Sequence, residues 1–133
     1  MEFTSQICTT KEQSERLLAL GLKKQTADMH HYQYTDGGRW NIEARPSIAG
    51  YNNRLVPAWS LHRLIEMMPQ WIDTIEDSLK LTIDQGKLVC YRRTSTDEVQ
   101  TFIFGYRSLY DSIIYVIEKL IKEGYFNKEY LEE

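Results

Sequence analysis

A chain of 133 residues with 42% apolar and 26% charged residues has the composition of a folded domain with one ordinary core, not of a disordered segment. A net charge of −3 offers phosphate no general attraction, and the two isolated cysteines, Cys8 and Cys90, signal neither a zinc site nor a disulfide framework. The N-terminal stretch lacks the basic start and apolar core of a secretion signal, and no apolar run reaches the roughly 18 residues of a membrane span, so the expectation is a soluble cytoplasmic protein with no membrane partner.

Thr10 and Gln13 have the spacing of a capping box, which predicts a helix from there to about Leu20, stopped by Gly21. Met29–Tyr34 and Arg39–Ala44 alternate around Asp36-Gly37-Gly38 and read as a hairpin. A three-residue loop with Gly38 left-handed keeps the apolar side chains together, setting Tyr34 opposite Trp40, Tyr32 opposite Ile42 and His31 opposite Glu43. Arg45–Pro57 has turn residues throughout and reads as a surface loop. Ser60 then caps a helix whose Leu61, Leu64, Ile65 and Met68 make one apolar stripe, with Trp59 and Leu64 as a staple and Pro69 as the stop. Core packing explains that segment; an exposed docking stripe is the alternative.

Residues 70–78 fit a short helix, a strand or a loop. Leu79, Leu81 and Ile83 alternate into a Gln85-Gly86 turn, followed by Lys87–Arg92, with Leu81 opposite Cys90 and Ile83 opposite Leu88. Val99–Phe104 supplies another strand. The last helix is capped by Ser108 and Asp111, carries Tyr110, Ile113, Ile114, Ile117, Leu120 and Ile121 on one face, and ends at Gly124. Together these elements predict a single α+β domain over residues 1–133, an antiparallel sheet of about five strands covered by about three helices, with 1–8 and 127–133 as mobile ends.

Three stretches, "LGLKKQTADM", "PAWSLHRLIEMMP" and "SLYDSIIYVIEKLIKEGY", carry a resemblance. The chain resembles an uncharacterised family of short hypothetical proteins from phages and prophage-like elements of gut anaerobes. The matching positions are Leu20, Gly21 and Leu22; Thr26, Ala27, Asp28 and Met29; Pro57 to Leu61; Leu64, Met68 and Pro69; and Gly124 and Tyr125. What the resemblance implies is an origin in a mobile element. It transfers no catalytic residue and no cofactor.

The chemistry-bearing residues are few. His30 and His31 are neighbours on a strand, where side chains point to opposite faces, so the pair does not predict a metal site. An enzyme would have to use His31 with Glu43, joined by His62 from the helix after Ser60. Asp73, Glu76 and Asp77 read as a solvated charge run, and no phosphate loop or nucleophile elbow is present. Arg92 and Arg93 beside Tyr91 form the one basic patch, diluted by Asp97 and Glu98, so nucleic acid is the less favoured partner. Half of the aromatic residues lie between Phe102 and Tyr130, and Leu109, Tyr115, Val116, Tyr125 and Phe126 make a candidate interface for a homodimer or an unidentified protein. The balance predicts a small protein-binding module of a mobile element, without metal or cofactor, rather than an enzyme.

Overall fold

The structure, a computed structural model, describes residues 6–33, 35, 37–44, 55–74, 78–84, 88–93, 104–105 and 108–133. The chain is α+β and divides into two compact units, Met1–Ile65 with Lys128–Glu133, and Glu66–Asn127. Its strands are shared between two antiparallel sheets, one of three strands and one of four among the described residues, which corrects the expected single sheet of about five.

In the first unit, helix α1 (Lys11–Ala19) starts at the expected capping box: Gln13 N–H donates to Thr10 Oγ1 at 3.1 Å, and Gln13 Oε1 accepts from Thr10 N–H at 3.0 Å. Gly21 leaves the helix at φ +104°, a left-handed value that only glycine adopts without strain. Strands β1 (Met29–Gln33), β2 (Trp40–Glu43) and β3 (Leu55–Ala58) form a sheet in the order β2-β1-β3.

Two expectations change here. The β1–β2 register is His30 opposite Glu43, His31 opposite Ile42 and Gln33 opposite Trp40, one residue away from the expected pairing. The cause is the turn: Gly38 N–H donates to Thr35 O at 2.9 Å, and Gly37, not Gly38, takes the positive φ of +72°, so two residues rather than three separate the closing pair. A one-residue slip moves every side chain to the other face. In addition, Leu55–Ala58 is a strand paired with β1, where a surface loop was expected; Val56, Pro57 and Ala58 are buried. Pro57 is tolerated because β3 is an edge strand among the described residues. The rest of that loop, 45–54, lies outside the described residues.

Helix α2 (Leu61–Met67) begins at Ser60, whose Oγ accepts from Arg63 N–H at 3.2 Å. The C-terminal residues, expected to be mobile, return to the first unit. Lys23 N–H donates to Tyr130 O at 2.8 Å, Glu132 N–H donates to Gly21 O at 2.7 Å, and Leu131 forms an antiparallel bridge with Leu22.

In the second unit, β4 (Trp71–Asp73), β5 (Ser78–Asp84), β6 (Leu88–Arg93) and β7 (Phe104–Gly105) follow one another across the sheet, and helix α3 (Leu109–Glu123) packs on β6 and β7. Within the ambiguous stretch after Pro69, Trp71–Asp73 is a short strand, and 75–77 lie outside the described residues. The β5–β6 register is Leu81 opposite Tyr91 and Ile83 opposite Val89, again one residue from expectation, and Cys90 faces Thr82, whose Oγ1 lies 3.0 Å from the thiol. Three residues separate Asp84 from Leu88 where two were expected; the turn itself and residues 94–103 lie outside the described residues. Cys90 is buried, as expected of a core residue. Helix α3 has the expected cap, with Asp111 N–H donating to Ser108 Oγ at 3.1 Å, and the expected stop at Gly124. Its Ile113, Ile114, Ile117 and Leu120 are fully buried, each contributing about 1.5–3 kcal/mol of apolar transfer.

Candidate functional site

The polar side chains of the first unit converge on Trp59, which is fully buried and is therefore core, not an exposed docking residue. Its backbone N–H donates to Thr9 Oγ1 at 3.1 Å, its carbonyl accepts from Thr9 N–H at 2.9 Å, and its indole Nε1–H donates to Thr26 Oγ1 at 3.0 Å. Thr26 in turn donates to Lys23 O at 2.6 Å, and the Thr9 and Ser14 hydroxyls are 2.7 Å apart. Next to Trp59, Ser60 donates to both oxygens of Asp28, from its backbone N–H at 2.8 Å and from its hydroxyl at 2.5 Å. Arg63 Nε donates to Thr26 O at 2.7 Å. The Thr26–Met29 and Pro57–Leu61 segments are thus two halves of one lock, since Met29 also pairs with Ala58. Buried polar groups need partners, and here each half supplies the other's.

Cys8, His31 and Asp28 also meet in this region. Cys8 Sγ lies 3.9 Å from His31 Nε2, the spacing of a thiol and a base. The same Nε2 is 2.7 Å from Thr9 O. A carbonyl only accepts, so Nε2 carries the proton in that bond and cannot take one from the thiol. Burial, joined by the negative charge of Asp28, pushes the Cys8 thiol from 9.0 up to about 11, the reverse of what an activated nucleophile requires. The cluster is architecture: Cys8 packs with Met29 and Ala58 under the sheet.

The expected acid–base set does not assemble. Glu43 pairs with His30, Oε2 to Nε2 at 3.2 Å, and His30 and His31 point to opposite faces of β1. His62 is exposed on α2. Arg92 and Arg93 likewise alternate across β6, so they do not make one patch, and Tyr91 is buried with its hydroxyl donating to Pro69 O at 2.7 Å. Burial raises the Tyr91 phenol above the ordinary tyrosine range. Of the candidate interface, Val116 and Phe126 are buried within the chain, Leu109 and Tyr115 are half-buried, and Tyr125 alone of the five is exposed. The expected apolar patch is therefore broken up: Val116 belongs to the packed face of α3. Among the described residues no group of three or more His, Cys, Asp or Glu could hold a metal ion, and no helix is long and apolar enough to cross a membrane.

What sequence reasoning missed is an open groove of about 530 Å³ in the first unit, lined by Glu15, Leu18, Ala19, Leu22, Lys24 and Glu132. Glu15, Leu18 and Ala19 stand at i, i+3 and i+4 on one face of α1, and Glu132 is brought to them by its backbone bond to Gly21. The sequence signal was present in Leu18, an apolar residue of α1 that is half-buried where its neighbour Leu17 is fully buried. Its far wall was not, because it depends on a contact over more than a hundred residues. Compared with known proteins, the chain matches no family model, no curated protein and no solved structure.

Proposed function

We propose that this protein is a small accessory protein of a phage or related mobile element that works by binding another protein, and that the groove on α1 receives an apolar segment of that partner. The groove carries the reading. It sets the carbon side chains of Leu18, Ala19 and Leu22 among two carboxylates and one ammonium, the mixture of apolar centre and charged surround found where proteins dock. With Glu15 and Glu132 against Lys24, the surplus of negative charge suits an apolar anchor flanked by a basic residue. The resemblance of the Pro57–Pro69 segment supports the mobile-element origin. The test is affinity purification from an anaerobic host followed by titration of the purified partner. Ala19→Arg, on the exposed end of α1, fills the groove without touching the core, so it should abolish binding while leaving the melting temperature unchanged. Equal binding by wild type and variant would sink the groove as the docking site.

A further inference from the structure

The four-stranded sheet carries a row of aromatic and basic side chains that lies outside the groove. Trp71 on β4 stands opposite Lys80 on β5, and Lys80 opposite Arg92 on β6. Cross-strand partners share a face, so an indole, an ammonium and a guanidinium line up over three adjacent strands, about 10 Å from first to last at the usual strand spacing. Trp71 is 48% exposed on an edge strand, Lys80 is exposed, Arg92 is half-buried, and Lys80 Nζ lies over the indole, 5.6 Å from its centroid. Two residues along β4 on the same face, Asp73 Oδ1 accepts from the Ser78 hydroxyl at 2.7 Å.

We propose that this row binds single-stranded nucleic acid, with Trp71 stacking on a base and Lys80 and Arg92 meeting the phosphates beside it. Every base has a π face that an exposed indole can take regardless of sequence, and aromatic residues set among cations are how sheet surfaces hold single strands. The ammonium lies over the indole, so a base that stacks there displaces it towards the phosphate beside that base. A duplex fits poorly, because its base faces are closed in the stack and two cations on a chain of net charge −3 gather too few phosphates. An acidic peptide would satisfy Lys80 and Arg92 but gives the indole nothing to stack on. The row is made of residues other than those of the groove, so it stands or falls independently of the protein-binding reading.

The experiment is fluorescence anisotropy of a labelled oligothymidylate titrated with the full chain at roughly 50 and 200 mM salt. Binding is expected at the lower salt, with log K falling against log salt at a slope of about −1.4, for two phosphates at about −0.7 each. Trp71→Ala and Arg92→Ala should each weaken it about tenfold, while Arg93→Ala, on the opposite face of β6, leaves it unchanged. Should Trp71→Ala fail to fold, Trp71→Leu keeps apolar bulk without the ring and carries the same expectation. Failure to bind at low salt overturns the proposal. So do equal losses in the Arg92 and Arg93 variants, or polyglutamate binding as tightly as the oligonucleotide and indifferently to Trp71.

Discussion

The two units solve the problem of a small interior differently. In the first, Thr9, Ser14, Thr26 and His31 are buried beside Trp59, and their hydrogen bonds tie α1, β1 and the start of α2 together. In the second, the interior is Ile72, Leu79, Val89, Tyr91 and the aliphatic face of α3, with Ser112 returning its hydroxyl to Ser108 O within the same helix. A polar interior admits few arrangements, because a displaced donor is left unsatisfied at about 1–3 kcal/mol. An aliphatic one accepts any filling of about the right volume. The first unit is therefore specified by chemistry and the second by shape.

The sharpest way to break that contrast is Trp59→Ala, which empties a fully buried site and strips Thr26 Oγ1 of its donor. A loss of about 3–5 kcal/mol is expected in urea unfolding; a loss below about 1 kcal/mol would mean the lock around Trp59 does not hold the unit together. Alkaline titration probes the same region more gently. The folded Cys8 thiol ionises near 11 instead of 9.0, so it binds its proton more tightly in the fold than out of it. Its contribution is complete below about pH 9 and disappears as pH climbs towards 11, amounting to about 2–3 kcal/mol. Cys8→Ala should flatten the stability profile between pH 9 and 10. The fall carried by Tyr91 in the second unit, also raised by burial, should persist above the ordinary tyrosine range. Parallel profiles for wild type and variant would remove Cys8 from the account.

Shape-conserving swaps sharpen the comparison further. Thr9→Val keeps the volume but deletes a hydroxyl that serves both Trp59 N–H and Ser14, and should cost about 2 kcal/mol. Ile117→Leu in the second unit should stay below about 1.5 kcal/mol by the same denaturation assay. Reversal of that order would contradict the division into chemistry and shape. The smallest effect belongs to Ser60→Ala, which removes the cap of α2 and one of the two donors to Asp28, at about 1 kcal/mol in thermal melts.

What the sequence disclosed was what is decided locally. Thr10 with Gln13, Ser60, Ser108 with Asp111, Gly21 and Gly124 all cap or stop helices as expected, because a cap is a contract between residues three or four apart. Both hairpins were recognisable and both registers were off by one, in opposite senses. Loop length depends on which residue turns left-handed, and Gly37 and Gly38 are equivalent candidates on paper. The slip mattered for the candidate site: it exchanged His31 for His30 as the partner of Glu43 and so dissolved the proposed acid–base pair. Strand β3 escaped notice because Pro57 reads as a breaker unless the strand is known to be an edge. The groove and the Trp71 row escaped because each gathers residues from elements that sequence spacing cannot place together.

The return of the C-terminal residues to the first unit has a consequence in time. Leu22 waits for Leu131, 109 residues later by subtraction of their numbers, before its backbone bridge can close. At roughly 5–20 residues per second of synthesis, that is a delay of roughly 5–20 s. During it the whole second unit is synthesised, while the Gly21–Lys23 backbone has no native partner on that side. A nascent chain halted before Lys128 should therefore display a finished second unit beside an unfinished first one, exposed to proteases and chaperones at the wall where the groove will later stand.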